Sequence, residues 1–191
     1  MADANPLGER GHALEEEYFR RRDRELIERL RAAAAADEAW RQMGTLTGLQ
    51  DADVKELASL GFAPDTVLLL PLVPLMQVAW ADSSVSPEEQ KLIVEIARAR
   101  GIAEGSAADA QLSRWLSAPP SPTVFAGASR LIGAMLDVSG RVGQGLTADD
   151  LVAQCEEVAN ASGGFLGIKK ISAEERALLT KISQDLKKRT S

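Results

Sequence analysis

The chain reads as all-α, and three observations predict it. No segment alternates apolar and polar residues with the period of a half-buried strand, apolar residues recur at helical spacing, and helix starts and stops punctuate the sequence closely. The expected architecture is two related helical hairpins in a compact bundle, preceded by a long charged helix. Residues 1–47 form that N-terminal helix with its linker, and residues 48–191 form the helical domain. A chain of 191 residues can bury a core without staples, and its single cysteine permits no internal disulfide.

Taken in order, the first helix spans about Glu9 to Met43, with Asp37 as a candidate break. Glu16 and Arg20, Glu17 and Arg21, and Glu25 and Arg29 stand in the favourable i, i+4 order, while Leu14, Tyr18, Leu26 and Leu30 fall on a stripe interrupted by Arg22. "GTLTGLQDAD" reads as a linker, so residues 51–191 are expected to fold without the N-terminal helix. A short helix from Ala52 to Leu60 stops at Gly61. "VLLLPLVPLMQVAWA", from Val67 to Ala81, is apolar apart from Gln77, but it falls short of the roughly 20 residues a membrane span needs. It reads as a buried core helix kinked by Pro71 and Pro74, each of which lacks a backbone donor.

After it come a helix running to Arg100 and Gly101, one from about Ala107 to Leu116, and the break "SAPPSP". Ser121 with Pro122 starts the next helix, because proline at the first helical position gives up a donor that has no partner there. Thr147 with Asp150 starts the penultimate one after the loop "SGRVGQGLT".

The chain repeats itself. "SVSPEEQKLI" is answered by "KISAEERALL", aligning Ser86 with Ser172, Glu89 with Glu175, Ile93 with Leu179 and Ile96 with Ile182. In each copy a serine followed three residues later by glutamate makes a capping box, and the apolar residues beyond share one helical face. "QVAWADSS" and "EVANASGG" extend the likeness upstream, so each copy reads as helix, polar loop, helix.

The first loop invites a calcium reading, tested by counting back from Glu89 as the twelfth ligand position of an EF-hand. Val78 and Trp80 then occupy the first and third positions, where oxygen is required, and Ser83 replaces the turn glycine at the sixth. Capping explains the carboxylates of both copies, and ligation explains at most those of one. Any cation held by so few charged ligands is expected at the weak, roughly 0.1 to 1 mM end of calcium affinity.

Taken together, "LVPLMQVAWADSSVSPEEQKLIVEIARARGI" and "VANASGGFLGIKKISAEERALL" resemble the tellurite-resistance TerB-like family, over roughly residues 57 to 188. The resemblance implies an all-helical domain of two related hairpins, a bacterial stress-response setting, and cation-binding residues in the acidic loop. By motif position these are Asp82, Glu88 and Glu89, with Ser83 where the family's "ADG" loop has glycine.

Little else carries chemistry. His12 lies alone in the charged first helix, and Cys155 follows Leu151 and Val152 on an apolar face as a small core residue. "GRVGQG" and "GGFLGIKK" fit neither the P-loop spacing nor a dinucleotide fingerprint. Trp80 and Trp115 read as core; Trp40, Phe165 and Leu166 are the candidate partner contacts. The net charge of -6 argues against a nucleic-acid partner, and the N-terminus has no secretory leader pattern. These readings converge on a cytoplasmic, non-enzymatic binding or adaptor module with no cofactor, whose partner is another protein met through the N-terminal helix. The alternative is a weak divalent-cation sensor built on the first acidic loop.

Overall fold

The computed structural model describes residues 6–137, 146–161 and 173–187, and among them it is all-α. The helices are α1 (Pro6–Thr47), α2 (Asp51–Ser59), a 3-10 helix (Val67–Leu72), α3 (Val73–Ala79), α4 (Pro87–Ala99), α5 (Ala107–Ser117), α6 (Pro122–Asp137), α7 (Ala148–Ala161) and α8 (Ala173–Lys187). Among the described residues no helix is long and apolar enough to cross a membrane. The chain divides into two compact units, Met1–Gln42 and Met43–Ser191.

The first unit contains α1 up to Gln42. No break occurs near Asp37, since Ala32 to Ala36 are the strongest helix formers and nothing there caps or stops the backbone. Of the anticipated i, i+4 pairs, Glu16 and Arg20 meet at 3.3 Å, and Arg41 also reaches Glu38 at 2.7 Å. Both pairs are well exposed, so each adds only a few tenths of a kcal/mol, about 0.3–0.5, to helix stability.

In the second unit the supposed linker is part of the core. Met43, Thr47 and Leu49 are 5%, 4% and 7% exposed. The Thr47 hydroxyl can be buried because it donates to the Met43 carbonyl at 2.9 Å, and Gly48 then takes a φ of 70°, which ends the helix. Within the same stretch the Asp53 carboxylate accepts from the Gln50 amide, at the start of α2.

The apolar run at 67–81 is central, as expected, but it is two helices rather than one kinked helix. Pro71 and Pro74 remove the donors that would bond back to residues 67 and 70, so the first six residues wind as a 3-10 helix and α3 begins only at Val73. Leu69, Leu70, Leu72, Leu75 and Met76 are fully buried. The 3-10 helix packs against α4, α5 and α6, while α3 packs against α6, α7 and α8. Packing crosses between the two repeat copies, with α7 against both α3 and α4, and α3 against α8.

Polar ties fix the periphery. Arg130 on α6 donates to Asp53 at 2.7 Å and also pairs with Glu56, joining α6 to α2. Arg98 on α4 reaches Asp109 on α5 at 2.6 Å and donates to the Ile102 carbonyl at 2.9 Å. The Trp80 indole N–H donates to the Trp115 carbonyl at 2.9 Å, and Trp115, buried, meets Phe62 edge-on with ring centroids 5.8 Å apart. Trp80 itself, at the C-terminal end of α3, is only half-buried.

Candidate functional site

The acidic loop between α3 and α4 is built by a cap. Ser86 has extended backbone, its hydroxyl accepts from the Glu89 amide at 3.3 Å, and the Glu89 carboxylate accepts from the Ser86 amide at 2.7 Å and hydroxyl at 2.8 Å. Glu89 is 2% exposed, so its charge is spent inside the cap rather than offered to solvent. Asp82 is exposed and accepts from the Ser84 amide at 3.3 Å, and Glu88 is exposed on the first turn of α4. The loop therefore brings Asp82, Glu88 and Glu89 onto one short stretch without converging their oxygens. Among the described residues no group of three or more histidine, cysteine or acidic side chains is placed to hold a metal ion.

Two outcomes follow for this loop. Ser86→Ala should lower stability by about 1 kcal/mol, since it removes one cap acceptor and one partner of a buried carboxylate; chemical denaturation checks it. Ser83 has a φ of 71°, a left-handed backbone that costs a residue with a Cβ roughly 1 kcal/mol or more. Ser83→Gly should therefore raise stability by roughly 0.5 kcal/mol, after the glycine's greater freedom in the unfolded chain is discounted. A lower melting temperature for Ser83→Gly would show that the serine side chain makes up for the strain.

The second copy's cap residue Ser172, the side chain of Glu175, and the candidate contacts Phe165 and Leu166 lie outside what the structure describes. What is described of α8 agrees with its copy in α4: Leu179 and Ile182 are buried, as are Ile93 and Ile96. At the start of α7 the Asp150 carboxylate accepts from both the hydroxyl (2.7 Å) and the amide (2.9 Å) of Thr147. These two bonds hold Asp150 below the usual carboxylate range. Asp109 is lowered likewise, first by the Gly105 amide and then by Arg98.

Cys155 is buried on α7, and burial pushes its thiol up to about 12 although the Arg100 guanidinium works in the opposite direction. Arg100 is itself lowered by burial and donates to the Gln154 side chain across the α4–α7 contact. A cleft of about 320 Å³ among α3, α6 and α8 is lined by Gln77, Ser129, Lys181 and Asp185, with Phe125, Leu178 and Ile182 in its apolar wall. Its lining contains neither histidine nor cysteine, and Lys181 is exposed.

The clearest surface feature lies on α1. Tyr18, Phe19, Leu26, Ile27 and Leu30 are 49%, 61%, 56%, 46% and 61% exposed. Beyond α1 only Leu68, at 41%, joins them among the described large apolar side chains. Trp40, the aromatic expected to serve as a contact, is half-buried. The sequence stripe contained Tyr18, Leu26 and Leu30 but missed Phe19 and Ile27, which helical spacing brings alongside them.

Comparison with known protein families, with curated proteins and with solved structures finds no match for this chain.

Proposed function

We infer that the chain is a TerB-like, non-enzymatic binding or adaptor module of a bacterial stress response, and that it meets a protein partner through α1. One observation carries the binding role: five large apolar side chains on a single helix stand nearly half exposed or more, where water makes each of them costly to leave uncovered. The family reading draws support from Ser83, whose left-handed backbone keeps the shape that suits the family's loop glycine. Glu89's commitment to its cap weighs against the cation-sensor alternative.

The reading is tested by retention of a partner in cells. The full chain should co-purify with a stoichiometric protein that neither a chain lacking residues 1–42 nor a Leu26→Glu/Leu30→Glu variant retains. Equal retention by the shortened chain would move binding to the second unit and overturn the role of α1.

A further inference from the structure

The charges around the exposed face of α1 restrict what covers it. Phe19, Leu26 and Leu30 recur at spacings of seven and four, forming one seam with Asp23 inside it and Tyr18 and Ile27 at its edges. By the same spacing Arg22 and Arg29 border the seam on one side and Arg20, paired with Glu16, on the other, while Glu17, Glu25 and Glu28 lie around the back with Arg21, Arg24 and Arg31. Residues 18–31 hold six arginines and three acids, a basic stretch in a chain of net charge -6. The Arg22 guanidinium lies 5.9 Å from the centre of the Tyr18 ring, and Arg29 makes no ion pair among the described residues.

A second copy of the chain fits poorly. Laid antiparallel with Phe19 opposite Leu30, two copies set Arg22 of each beside Arg29 of the other. Laid parallel and in register, they bury Asp23 against Asp23. An acidic helix meets neither problem. We propose that the seam at residues 19–30 docks an acidic amphipathic helix of another protein, with apolar residues against Phe19, Leu26 and Leu30 and carboxylates against Arg22 and Arg29. Asp23 adds specificity, because it asks for a lysine or asparagine at one position of the partner's seam and so fixes the register. This inference rests on the binding role of α1 inferred above and adds the chemistry of the partner.

The experiment uses the full chain and two synthetic helical peptides of three heptads, each with a leucine seam and one central asparagine. One carries glutamate at both flanking positions, and its twin carries lysine. Fluorescence anisotropy should show the glutamate peptide binding at least about ten-fold more tightly, with the difference shrinking as salt rises. Arg22→Glu/Arg29→Glu should reverse the preference, and Leu26→Glu/Leu30→Glu should abolish binding of both peptides, with circular dichroism showing that each variant keeps its helix.

Equal binding of the two peptides overturns the acidic partner while leaving α1 as a docking helix. So does binding to phosphatidylcholine–phosphatidylserine vesicles without binding of either peptide, or a concentration-dependent dimer that excludes both. If neither peptide binds and the Leu26→Glu/Leu30→Glu chain still retains its cellular partner, the binding role of α1 falls as well.

Discussion

Removal of residues 1–42 is expected to leave a helical domain that melts cooperatively, whereas removal of residues 1–50 should cost about 4 kcal/mol or more. The difference lies in eight residues. Met43 and Leu49 are 5% and 7% exposed, and truncating a buried side chain of this size typically costs about 2–5 kcal/mol. Thr47 goes with them, together with the hydroxyl bond to Met43 that allowed its burial. Against a total stability of about 5–15 kcal/mol, the loss of both apolar side chains takes a large fraction. The contact boundary between Gln42 and Met43 marks where the cut should fall. Urea denaturation of the two shortened chains measures the difference. Equal midpoints would mean that residues 43–50 add nothing to the core. The full chain with Met43→Ala and Leu49→Ala gives the same comparison without a cut.

The second large effect concerns Cys155. With its thiol pushed up to about 12, the thiolate fraction at pH 8 is about one in ten thousand, against roughly a quarter for a free thiol of pKa about 8.5. Alkylation of the native protein should therefore be slower than that of the urea-unfolded chain by roughly three orders of magnitude, before steric exclusion from the buried site is added. The sign follows from the cause: burial disfavours the charged form, so raising the pH restores reactivity only near the raised value. Reaction that does occur at pH 8 should follow opening of α7, and so quicken with added denaturant. A native rate within ten-fold of the unfolded one would show that Arg100 outweighs burial and that the thiol is reactive.

What the sequence disclosed, and what it hid, depended on whether the signal was local. Ser86 with Glu89, and Thr147 with Asp150, place their helix starts because a cap is written within four consecutive residues. Gly61 stops α2 with a φ of 86° for an equally local reason. The stretch from Gly44 to Asp53 misled because its residues are mostly polar. Thr47 enters the core only by satisfying its hydroxyl within its own helix, which periodicity does not register. The prolines at 71 and 74 are legible as missing donors, but two of them three residues apart open the backbone over the whole of 67–72, so the stretch is a 3-10 helix followed by α3 and not one kinked helix. Phe19 and Ile27 are hidden in the sequence for another reason. The stripe through Leu14 and Tyr18 runs to one side of the seam that exposure reveals. An aromatic ring by itself does not predict exposure, and Trp40 is half-buried. The acidic loop was legible as a cap, and the burial of Glu89 follows from that role.

The central position of residues 67–79 has a consequence for the chain as it is made. This most apolar stretch leaves the ribosome before the helices that cover α3, and α7 and α8 are both complete only about 100 residues later. At a synthesis rate of about 5–20 residues per second, the stretch waits roughly 5–20 s for its cover. Throughout that interval Leu69, Leu70, Leu72, Leu75 and Met76 form a continuous sticky segment that a holdase would recognise. A chain terminated before α7 should accordingly be recovered bound to chaperones or in aggregates, and the finished chain released from both only once α8 is available to close over α3.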